Sequence, residues 1–188
     1  MSQRNERSKI KTELAERKLY KFVEQVWPVI EPTTPFRTGW HIEAVCDHLE
    51  GLANRQIRNL LILIPPRHTK SLTSSVCFNP WLWIREPSAR FMYASYSGGL
   101  ATEHAVLSRR VIDSDWYQDR WGSEFKLTTD QNIKTHYENT KRGYRISTSV
   151  GGTVISSALM IHTTSRTYIP SLSGSMYTNS IRRYGIAD

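Results

Sequence analysis

Long apolar runs are missing from this 188-residue chain. None reaches the roughly 18 residues that a membrane-spanning helix needs, so no membrane partner is expected. The opening MSQRNERSKI is polar and basic and has no apolar h-region, so it does not read as a secretory signal. Cysteine is scarce: Cys46 and Cys77 are the only two, without metal-type spacing. Reduced thiols in a cytosolic compartment are the simplest reading. There is no internal repeat, and from Val154 to Ala187 there is no Asp or Glu. The length is enough for one domain and not comfortably for two.

What is present is an ordinary globular composition, 39% hydrophobic and 22% charged, with a basic balance of +8. Basic residues gather in the first 21 positions and again around Arg109, Arg110, Lys141, Arg142 and Arg145. Such a balance suits a nucleic-acid partner. It equally suits a solvated basic face, because Lys and Arg favour surfaces.

Leu14, Leu19, Phe22, Val23, Val26 and Trp27 recur at helical spacing, which predicts an amphipathic helix over 8–27 that Pro28 stops or bends. An extended loop follows, and a second helix is expected from Trp40 to Ala53. The run NLLILI, Asn59–Ile64, is continuous and apolar and ends at Pro65-Pro66, as a fully buried parallel strand does. Helical spacing resumes over 71–84. Arg90–Ser97 reads as a second strand, a helix runs from Gly98-Gly99 to about Ile112, and a compact helical turn and loop is expected over 113–123. Residues 126–140 are ambiguous, and Gly143–Val150 reads as a third strand. This order predicts an α/β fold with a mainly parallel sheet and flanking helices.

The segment Ile64-Pro65-Pro66-Arg67-His68-Thr69-Lys70-Ser71 joins an apolar run to a helical one. It resembles the phosphate loop G-x-x-x-x-G-K-[ST], with Ile64 and Thr69 in place of the two glycines. Phosphates need donors, and a helix start offers amides and the positive end of the dipole. Lys70 suits the β- and γ-phosphates, the Ser71 hydroxyl suits Mg²⁺, and Arg67 suits charge developing on the γ-phosphate. The bland alternative is an ordinary basic turn before a helix. Without glycine, Thr69 must take a strained φ or hold a different loop.

The stretches WPVIEP, TPFRTGWHIEAVCDHLE, NLLILIPPRHTKS, NPWLWIREPSARFMYASYS, LATEHAVLSRRVIDSDWYQDRWG and LTTDQNIKTHYENTKRGYRISTSVGG together resemble the ATPase domain of tailed-bacteriophage terminase large subunits. They cover roughly residues 20–152. The resemblance implies a P-loop NTPase that uses ATP and Mg²⁺ to drive double-stranded DNA into a procapsid, in the cytoplasm of a bacterial host. It implies the portal ring and a small terminase subunit as partners, and a homo-oligomer when the protein is intact. It carries Arg67, His68, Thr69, Lys70 and Ser71 over as the phosphate loop, with Lys70 and Arg67 catalytic and Ser71 on the metal. Trp40 and His41, with Phe36 nearby, fall where such ATPases contact adenine or the adjoining loop; core packing and a helix start explain those three as well. Arg109 and Arg110 are candidates for DNA contact or an arginine finger, or plain solvated arginines.

The family also needs an acidic strand end to hold Mg²⁺ and activate water, within a dozen or so residues of Gly152. It is absent here. A displaced reading frame restores it on paper. Met has one codon, ATG, and Ile begins AT, so the Met160–Ile161 junction must read GAT, Asp. With permitted codons, Leu159 to Thr164 reads Asp-Asp-Pro-His-Asn, preceded from Thr153 by Gly-Asp-Ile-Ile-Cys-Ala. The expected organisation is therefore an N-terminal helix and loop (1–39), a partial ATPase core (40–152) and a poorly folded, out-of-frame tail (153–188). Three other readings compete: a non-catalytic basic nucleic-acid-binding module, a degraded prophage remnant and a P-loop kinase of small molecules.

Overall fold

The computed structural model describes residues 2–65, 67–95, 97–129, 133–149 and 159–163. Six α-helices and four strands are formed among them: α1 Ser2–Arg17, α2 Leu19–Ile30, α3 Trp40–Ala53, α4 Phe78–Arg85, β1 Phe91–Ser95, α5 Gly98–Asp113, α6 Asp115–Trp121, β2 His136–Glu138, β3 Tyr144–Ser149 and β4 Leu159–Thr163. A π-helical segment, Leu72–Cys77, leads directly into α4. None of the described helices is long and apolar enough to cross a membrane.

The sheet runs β2-β3-β1-β4. β1 pairs in parallel with β3 (Tyr93 opposite Ser147) and with β4 (Tyr93 opposite Ile161), and β2 closes the edge antiparallel to β3. The protein is thus mixed α/β, with the predicted second and third strands in place. Of the tail expected to fold poorly, Leu159–Thr163 forms β4; the rest of 153–188 lies outside the described residues.

The single helix expected over 8–27 is two. Lys18 leaves helical geometry at φ −125°, and α2 restarts at Leu19 with Glu50 of α3 as its cap. The Leu19 amide donates to Glu50 Oε1 at 2.7 Å, and Lys18 Nζ reaches Oε2 at 3.1 Å. A carboxylate there satisfies a first-turn amide and complements the helix dipole. Pro28 neither stops nor ends α2, which continues to Ile30. With the helix finishing two residues later, its missing N–H removes one late bond.

The core is aromatic and helical. Phe78, Trp81 and Trp83 of α4 are fully buried. Trp83 meets Phe91, Phe125 and Tyr137 edge-on at 6.3, 5.4 and 5.9 Å between ring centroids. Phe22 of α2 lies 5.4 and 5.9 Å from Trp116 and Trp121. Trp81 donates its indole N–H to the Ala15 carbonyl at 3.1 Å, which ties α1 to α4.

The fully buried strand expected at Asn59–Ile64 is corrected. These residues join no ladder, and Leu61 and Leu63 are 79% and 81% exposed. Leu60, Ile62 and Ile64 pack on the core while the leucines between them face out. That is the two-residue alternation of extended chain. The backbone has the reach of a strand, but no described strand lies alongside to hydrogen-bond it.

Candidate functional site: the loop before the π-helical segment

The apolar stretch delivers the chain to a tight loop at Arg67–Thr69, and helical backbone begins at residue 70. Two residues of the loop hold left-handed backbone: Arg67 at φ 67° and Thr69 at φ 56°. For a β-branched residue this is a real outlier, and such conformations cost on the order of 1–3 kcal/mol each. Thr69 stands at the glycine position of the phosphate-loop pattern, so the loop keeps a glycine-like shape with a threonine in it.

The strain is locally supported. The Thr69 hydroxyl donates to the His68 carbonyl at 2.7 Å, and the Thr69 carbonyl accepts the Thr73 amide at 2.9 Å as the helix opens. Ser74 Oγ donates to the Lys70 carbonyl at 2.8 Å. Thr69, Lys70 and Ser71 are half-buried, whereas Arg67 and His68 are exposed. A helix start leaves its first-turn amides without intrahelical partners, so the sequence Thr69-Lys70-Ser71 puts a cation and a hydroxyl beside a run of donors. That combination fits a polyphosphate and its metal ion: the amides and Lys70 for phosphate oxygens, the Ser71 hydroxyl for Mg²⁺.

The structure also brings His41 to this loop, with Trp40 as its neighbour in the chain. The His41 and His68 rings lie 5.4 Å apart at 70°, and the Trp40 ring is perpendicular to His41 at 6.2 Å. Trp40 is 82% exposed at the start of α3, a large flat apolar surface beside the loop. Phe36 goes elsewhere. It packs on Trp27 at 5.3 Å and Tyr20 at 6.1 Å, so it belongs to the core around α2.

The basic residues sort differently from their sequence cluster. Arg109 spans one turn of α5 to Asp113, with Nε 3.4 Å from the carboxylate, and Arg110 is exposed. Lys141 and Arg142 are exposed on a turn. Arg145, grouped with them by sequence as part of a basic face, is instead fully buried. Its only advance signal was its place in an otherwise apolar-and-hydroxyl strand, GYRISTSV. Among the described residues no group of three or more His, Cys, Asp or Glu side chains could hold a metal ion. No protein-family model, curated protein or solved structure matches the chain.

Proposed function

We propose that this chain is the ATPase part of a terminase-like DNA-packaging motor, a P-loop NTPase in which Arg67–Ser71 cradles the phosphates of ATP. The observation that carries the reading is Thr69 at φ 56°, immediately before Lys70-Ser71 at a helix start. A non-glycine residue holds such a backbone only where the surroundings over-determine it, and such sites gather where ligands are gripped. Lys70 neutralises the β- and γ-phosphates, Arg67 neutralises charge at the transferring phosphoryl group, and Ser71 holds Mg²⁺. Trp40 and His41, beside His68, form the side of the site that meets the base. Double-stranded DNA is the polymer acted on, consistent with the +8 charge.

Hydrolysis is expected to be slow or absent. Between Val154 and Ala187 there is no carboxylate to position the metal or activate water, and β4, which runs parallel to β1, reads Leu-Met-Ile-His-Thr.

The test is a titration of the full chain with a fluorescent ATP analogue and Mg²⁺, beside Lys70→Ala. Saturable binding that the variant weakens at least tenfold is expected. Robust Mg²⁺-dependent turnover that Lys70→Ala abolishes would overturn the claim of impaired hydrolysis. No nucleotide binding by the wild type would overturn the phosphate-loop assignment. A DNA affinity that falls steeply with salt would then favour the non-catalytic nucleic-acid-binding module.

A further inference from the structure

The helix that begins at residue 70 is not regular. Over Leu72–Cys77 it widens to π-helical turns, and the Phe78 amide donates five residues back, to the Thr73 carbonyl. Such segments are rare and are less favourable than α-helix, so something must hold them. In the five-residue register the donor for the Ser75 carbonyl would be residue 80. That residue is Pro80, which has no amide hydrogen.

The Ser75 carbonyl is served from the sheet. Arg145 of β3 donates from Nη1 to the Ser75 carbonyl at 2.6 Å. Its Nε reaches Ser147 Oγ at 3.4 Å, and its guanidinium carbon lies over Tyr93 of β1, 3.9 Å from the ring centroid. Among the described residues Arg145 has no carboxylate partner, and its Nη2 has no hydrogen-bond partner. Burying a cation is costly, and what holds the Arg145 guanidinium among the described residues is the Ser75 carbonyl, the Ser147 hydroxyl and the Tyr93 ring. Beside it the Tyr137 hydroxyl lies 3.1 Å from both Asn79 Oδ1 of α4 and Ser108 Oγ of α5.

We infer that Arg145 is a positioning residue for the phosphate loop: it locks the π-helical register of Leu72–Cys77 by taking the Ser75 carbonyl that Pro80 cannot serve. The leverage comes from helix geometry. Each residue of an α-helix turns the chain by about 100° and advances it about 1.5 Å. With Phe78–Ile84 fixed in the core, relaxation of the π turns to α would swing the first turn, Lys70 and Ser71 included, by roughly that angle. The consequence for nucleotide rests on the phosphate-loop reading above; the consequence for helix register does not.

Amide hydrogen exchange of the full chain over residues 70–80, with Arg145→Met and Arg145→Lys, tests it. Arg145→Met is expected to exchange at least tenfold faster there while β1 and α2 keep their protection, and to bind the fluorescent ATP analogue at least tenfold more weakly. Arg145→Lys, which still reaches the carbonyl but loses the fork to Ser147, is expected to fall between. A folded Arg145→Met with unchanged exchange at 70–80 overturns the inference. Should that variant fail to fold, unchanged exchange in Arg145→Lys does the same. If the wild type binds no nucleotide, the phosphate-loop reading fails, and exchange alone still decides what Arg145 does.

Discussion

Trp81 and Trp40 are the same residue type in two regions built on opposite terms. Trp81 is fully buried at the centre of α4, its indole N–H donated to the Ala15 carbonyl and the Arg85 guanidinium 4.2 Å from its ring. Trp40 is 82% exposed, and among the described residues its ring meets His41 edge-on. Around Trp81, side chains are held by volume and aromatic geometry. Around Trp40, the chain holds two left-handed residues, Arg67 and Thr69, and leaves Leu61 and Leu63 facing out. The first region lowers the energy of the fold; the second spends some of it on a shape.

Substituting each tryptophan in turn gives the largest expected contrast. Trp81→Ala removes a buried aromatic and its hydrogen bond, and a loss of about 3–5 kcal/mol is expected. Trp40→Ala is expected to change stability by no more than about 0.5 kcal/mol while weakening binding of the fluorescent ATP analogue. Urea unfolding of both variants measures the difference. Equal losses would mean that Trp40 is a structural residue and that the platform beside the loop is misread.

What the sequence made legible follows the same division. α3 starts at Trp40 and ends at Ala53 as its spacing predicts, because a one-sided stripe of Ile42, Val45, Cys46 and Leu49 has only one way to be buried. β1 and β3 were readable from aromatic and β-branched content. The break at Lys18 was not, because its cause, Glu50, is distant in sequence and acts only once α3 is packed. NLLILI looked like a buried strand because a continuous apolar run cannot say which of its faces finds a partner. In the site, Lys70-Ser71 after an apolar run was legible. The sequence allows Thr69 a strained φ or a different loop, and the strained φ is observed. By sequence Arg145 belongs to a basic surface cluster, since burial of an arginine is a property of the packed sheet and not of its neighbours in the chain.

A smaller effect is expected in the loop. Thr69→Gly places at φ 56° a residue that reaches this region at no steric cost. It is expected to stabilise the fold by about 1 kcal/mol, raising Tm by about 2–4 °C for a chain of this size. Thr69→Ala, which keeps the Cβ but loses the γ-methyl and the hydroxyl bond to the His68 carbonyl, should not gain. A Tm for Thr69→Gly at or below that of wild type would show that the loop is not strained at Thr69.

The smallest expected effect belongs to the packed region and is set by pH. His104 of α5 is buried, and its imidazole is held below its ordinary value of 6.5, first by desolvation and then by the charge of Arg145, with Glu103 opposing. A base whose folded-state pKa is depressed takes up its proton more readily when unfolded. Stability is therefore unaffected above about pH 6.5 and falls as pH drops from there towards the lower folded value. Thermal melts from pH 7.5 down to 5 should show a decline that is shallower in His104→Asn, which cannot titrate. Arg145→Met should also flatten it, since removing the neighbouring cation lets the folded-state pKa rise towards the unfolded one. Identical pH profiles in wild type and His104→Asn would place the titrating group elsewhere and separate His104 from the electrostatics of Arg145.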